Sequence, residues 1–148
     1  MRLDPAARGA DPRAGSPSSV RTIAGAYVAD VALVTLFAAT GRASHREDVI
    51  GGLMVTAWPF AVALTVGWLV TRAWRHPFAP LRTGAMLWVV TVAGGMLLRV
   101  VSDQGVQAAF VTVAATVLGA LLIGWRAVAT LVVRRRRRRG SRRSVGRR

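Results

Sequence analysis

The sequence has no cysteine and no lysine, and only six acidic residues stand against 21 arginines in 148 positions. Without thiols, disulfides, thiolate nucleophiles and cysteine-ligated zinc or iron–sulfur sites are excluded. The shortage of acids leaves a formal net charge of +15. A soluble domain that basic usually binds nucleic acid, and such domains are rarely half apolar. Here 53% of residues are hydrophobic and only 18% are charged. The length allows one domain at most.

The distribution of charge resolves this conflict. Residues 49–71 hold 23 positions without a charge, residues 104–125 hold 22, and residues 83–98 hold 16 between Arg82 and Arg99. Residues 22–41 hold 20 positions with a single charge, Asp30. A bilayer core about 30 Å thick needs roughly 20 apolar residues as helix. The third segment is short, roughly 24 Å at 1.5 Å per residue. Arg82 and Arg99 are expected to snorkel outward and lengthen it. None of the segments has the polar face of a soluble surface helix, and none alternates as a barrel strand does. The first is too long for a signal peptide and carries Asp30 inside, so it reads as a retained helix. The expected fold is an all-α integral membrane bundle of four transmembrane helices at about 22–41, 49–71, 83–101 and 106–133.

The ends differ from the core. Residues 1–21 are rich in Pro, Gly, Ser, Ala and Arg and read as a disordered lead. Residues 134–148 carry ten Arg in fifteen positions and read as a solvated tail. Four helices put the lead, the loop near 72–82 and the tail on one side. That side holds eighteen Arg against three on the other. Without the tail the count is still eight against three. The positive-inside bias makes both termini cytoplasmic.

Trp68, Trp74, Trp88 and Trp125 fall near the expected cytoplasmic ends of their helices, where indole rings prefer to lie. Trp58 lies deeper, beside Pro59. A proline there removes a backbone hydrogen bond and is expected to kink the second helix; broken helices line substrate sites in some transporters. Small-residue pairs such as Ala63/Gly67, Thr91/Gly95 and Ala115/Gly119 suit close helix packing in a bundle, and homo-oligomer formation stays open.

Asp30 is the most informative residue. It sits nine positions beyond Arg21, roughly 13 Å into the helix, and Arg126 sits eight positions before Arg134, roughly 12 Å from the same edge. A carboxylate at that depth costs at least about 3 kcal/mol unless it has a partner. Asp30 and Arg126 are therefore expected to face each other, directly or through water. Tyr27 and Thr91 are further candidates to hydrogen-bond the carboxylate. Two readings stay open: a charge pair that fixes helix register, and a protonatable site for coupled transport.

Other candidates are weaker. Gly41–Asp48 gathers His45, Glu47 and Asp48 without a standard metal spacing, and the two acids suit the N-terminus of the second helix. His76 falls on the opposite face, so no metal site or cofactor is expected. No serine-hydrolase, P-loop or dinucleotide signature occurs. Arg134, Arg135, Arg136, Arg137, Arg138 and Arg139 directly follow a helix and read as contacts to anionic headgroups, with no nucleic-acid partner expected.

Asp30, the run Gly41-Arg42-x-Ser44-His45, Thr56-Ala57-Trp58-Pro59-Phe60, Gly67-Trp68, Leu81-Arg82-Thr83-Gly84 and Leu98-Arg99 together resemble the family called domain of unknown function 3054. The resemblance covers about residues 24–133 and leaves out the lead and the tail. It implies a small four-helix protein of the bacterial inner membrane and brings no activity, substrate or cofactor. The expected function is a non-enzymatic integral membrane protein of unknown role. The alternatives are a small proton-coupled transporter using Asp30 and a membrane anchor or assembly factor with a polybasic tail.

Overall fold

A computed structural model of the chain describes residues 20–42 and 49–145. Four long helices run in sequence: α1 (Val20–Arg42), α2 (Val49–Val70), α3 (Ala85–Val101) and α4 (Ala108–Val145). Each packs against the next, and α4 closes the ring against α1. The N-terminus of α1 and the C-terminus of α4 thus lie at one end, together with the α2–α3 connection.

All four helices are long and apolar enough to cross a membrane, over Val20–Gly41, Gly52–Val70, Pro80–Val101 and Ala108–Arg135. Their outer faces are apolar too: Val28, Met54, Leu97 and Val128 are each at least 60% exposed. No soluble helix ring would leave such faces to water, because burying them is the main drive to fold. Inside, Val34, Phe60, Leu64, Leu87, Leu118 and Leu122 are fully buried.

The third span is longer than the 16 uncharged residues suggest. Five residues of π-helix, Pro80–Gly84, lead directly into α3, giving 22 helical residues, roughly 33 Å. In this wide turn the Ala79 carbonyl accepts from both Thr83 N and Gly84 N, each at 3.1 Å. Arg82 is exposed. Arg99 does not snorkel freely as expected. Its guanidinium donates to Gln104 Oε1 (2.9 Å) in the α3–α4 loop and lies over the Phe110 ring.

One further expectation is revised. α4 does not stop at residue 133 but continues as helix to Val145, through most of the arginine run. Arginine is a good helix former, and cations suit a helix C-terminus. α2 continues as helix through Pro59, whose ring is buried. Helix packing helps here: Phe60 presses into α3 at Gly95, where a Cβ would come within 2.6 Å of Phe60 Cε1. Phe37 and Phe110 complete this aromatic cluster.

Candidate functional site

The polar centre of the bundle is built around Asp30 in α1 and Arg126 in α4, both with no solvent exposure. Their side chains meet directly and bidentately. Arg126 Nη1 donates to Asp30 Oδ1 (2.8 Å) and Nη2 to Oδ2 (2.6 Å). This fork-to-carboxylate geometry is the strongest that an arginine forms. No bridging water is needed.

Two indoles complete the carboxylate. Trp68 Nε1 of α2 donates to Oδ2 (2.8 Å), and Trp125 Nε1 of α4 donates to Oδ1 (2.9 Å). Each oxygen therefore accepts two N–H groups, which fills the four lone-pair sites of a carboxylate. The guanidinium is also anchored beyond Asp30. Its Nε donates to Pro77 O in the α2–α3 connection (2.9 Å), and Nη1 donates to Leu122 O (2.8 Å). One cluster thus ties α1, α2, α4 and the connecting loop.

The local sequence makes room for it. A Cβ on Gly84 would lie 3.2 Å from Arg126 Cδ and 3.3 Å from Leu122 O. Glycine at the end of the π-turn therefore lets α4 close on the loop. Thr83 Oγ1 donates to His76 O (2.8 Å), fixing the loop that presents the Pro77 carbonyl.

The other expected partners of Asp30 are engaged or placed elsewhere. The Tyr27 hydroxyl pairs with Thr65 Oγ1 (2.9 Å), and its ring meets Trp68 edge-on. Thr91 is buried, and its Oγ1 has no hydrogen-bond partner. Three of the tryptophans expected near the cytoplasmic ends of their helices turn their N–H groups to protein acceptors. Trp68 is buried, Trp125 is half-buried, and Trp88 donates to Ala115 O (2.8 Å) on α4. An indole has one donor and no acceptor, so a buried carboxylate or carbonyl is a better partner than water at the surface. Only Trp58 and Trp74 are exposed.

Among the described residues, no group of three His, Asp or Glu could hold a metal ion. Residues His45, Glu47 and Asp48 lie outside the described residues, as does the lead before Val20. Of the arginine run, Arg134 and Arg135 are exposed on α4; the side chains of Arg136, Arg137, Arg138 and Arg139 lie outside what is described.

No curated protein and no solved structure matches the chain. The model of one family, described as Protein of unknown function (DUF3054), matches residues 27–129. That stretch contains Asp30, Trp68, Pro77, Trp125 and Arg126, the whole of the buried cluster, and the chain belongs to this family.

Proposed function

We propose that this chain is a non-enzymatic, multi-pass protein of the bacterial inner membrane with both termini cytoplasmic. In this reading the Asp30–Arg126 cluster is a structural clamp, and the basic end of the bundle is its working face. The observation that carries the clamp is the saturation of Asp30: both oxygens are filled by N–H donors from three side chains. A coupling carboxylate has to exchange protons during its cycle. Here a proton arriving at either oxygen must first displace an N–H donor already bound there.

The basic face has its own support. α4 carries the arginine run outward as a continuation of the spanning helix, with Arg134 and Arg135 exposed. Each such residue near an anionic leaflet contributes about 1 kcal/mol of attraction. That suits an anchor or assembly factor better than a catalyst.

Three measurements test this reading. Purified protein in liposomes with an enclosed pH dye should show no Asp30-dependent proton flux under an imposed gradient. Flux abolished by Asp30→Asn in a protein that remains folded would establish the transporter instead. Deleting residues 134–148 should release a bound partner or weaken the hold on anionic membranes while leaving the bundle folded. Reporter fusions at residues 45, 76 and 103 should read periplasmic, cytoplasmic and periplasmic; a cytoplasmic signal at 45 would invert the topology.

A further inference from the structure

The connection between α2 and α3 is more structured than a turn requires. α2 ends at Val70, and Arg72 adopts a left-handed backbone (φ 49°, ψ 46°) that reverses the chain. A short 3-10 turn, Ala73–Arg75, follows, with Ala73 buried as its anchor. The chain then returns through Pro77 to the π-turn, and the Thr83 hydroxyl latches onto His76 O at 2.8 Å. This path brings Arg72 and Arg75 from one limb to the same concavity as Arg82 from the other. Thr71, His76 and Thr83 share the lining, and the cavity measures about 310 Å³.

Three guanidiniums around one small cavity repel one another, and an anion bound among them would relieve that repulsion. No carboxylate lines the cavity, and among the described residues the side chains of Arg72, Arg75 and Arg82 form no ion pair or hydrogen bond. Asp30, the acid inside the bundle among the described residues, has both oxygens committed to Arg126 and the two indoles. The three guanidiniums are exposed and their donors are free to reach a ligand.

We propose that this loop cavity binds a phosphate-bearing group. A guanidinium fork matches two phosphate oxygens at once, and three forks can satisfy a phosphate dianion or a phosphodiester. The volume is at the lower end of the roughly 300–1,000 Å³ of small-molecule sites, enough for a phosphate with a small polar substituent. The loop is held by its own backbone bonds and by the Thr83 latch. Preorganisation of this kind lowers the ordering cost of binding. The same chemistry is offered by the headgroup of an anionic phospholipid and by a soluble phosphate ester. The site does not depend on the clamp reading or on which side of the membrane the loop faces.

The test uses full-length protein in nanodiscs at physiological ionic strength. In discs of pure phosphatidylcholine it is titrated with inorganic phosphate and with glycerol 3-phosphate, and binding is read calorimetrically. In discs containing phosphatidylglycerol, co-retained lipid is read by native mass spectrometry after extraction. The variants are the triple Arg72→Gln/Arg75→Gln/Arg82→Gln and the control Arg134→Gln/Arg135→Gln. Because the three loop arginines face solvent, the unliganded triple variant should melt with the parent, which checks its folding.

Saturable binding weakened about tenfold or more in the triple variant, and kept in the control, supports the site. A response to the soluble esters assigns it to a free phosphate compound. Retention of phosphatidylglycerol alone assigns it to a lipid headgroup. No saturable binding of either kind, a triple variant that binds like the parent, or a control that loses as much as the triple would overturn the proposal.

Discussion

Arg126→Gln removes one half of the buried pair and leaves the other behind. Asp30 then keeps two indole donors but loses both guanidinium bonds and its counter-charge. Pro77 O and Leu122 O also lose their donors. Removing one partner of a buried pair typically destabilises by about 3–5 kcal/mol, and Asp30→Asn should fall in the same range by stranding Arg126. The double variant Asp30→Asn/Arg126→Gln carries no buried charge. Its remaining loss is a set of four to six hydrogen bonds, worth on average about 0.6 kcal/mol each inside a membrane protein, and partly remade by the two amides. It should therefore lose only about 2 kcal/mol and be more stable than either single variant. Reversible SDS titration in bicelles measures all three against the parent as a double-mutant cycle. Two outcomes would refute the reasoning: single variants within about 1 kcal/mol of the parent, or a double variant no more stable than the worse single. The first would mean the pair is solvated; the second would mean each side chain acts independently.

Other positions give separate checks. Gly95→Ala drives a methyl into the Phe60 ring and should cost about 1–3 kcal/mol in the same titration, whereas Gly25→Ala meets nothing within 4 Å and should be neutral or slightly stabilising. Thr91→Val replaces a buried, unpartnered hydroxyl by a methyl of the same shape, and should raise stability by up to about 1 kcal/mol; a loss of that size would mean the hydroxyl has a partner. Trp88→Phe deletes the donor to Ala115 O and should cost about 0.5–1.5 kcal/mol, with α3 and α4 loosening first in hydrogen exchange.

The four spans could be read directly from the gaps between charges, because a bilayer tolerates few charges over about 20 residues whatever the local sequence. The meeting of Asp30 and Arg126 was also legible, since antiparallel helices turn equal distances from one edge into equal depth. What distance along a helix cannot show is how many donors a carboxylate gathers. Trp68 and Trp125 are placed by sequence only near the cytoplasmic ends of their helices, on the usual preference of indoles. A count of acceptors against donors would have pointed to further donors: one guanidinium supplies two donors to a group that accepts four. The Pro77 carbonyl left no trace in the sequence, because any residue has one. The end of α4 was misplaced because like-charge repulsion was weighed without the helix propensity of arginine. The π-turn was signalled only by Pro80 and Gly84 flanking Leu81-Arg82-Thr83, a pattern equally common in ordinary helix starts.

The two halves of the clamp are 96 residues apart in the chain. At about 5–20 residues per second of synthesis, Asp30 is made roughly 5–20 s before Arg126. For that interval the first helix holds a carboxylate with no cation to meet. Trp68 is made in between and can cap one oxygen, so α1 and α2 form a provisional hairpin that only the last helix completes. A chain truncated before residue 126 would remain permanently in that provisional state. The late arrival of one arginine thus separates a hairpin with an unneutralised carboxylate from a bundle in which that charge is paired.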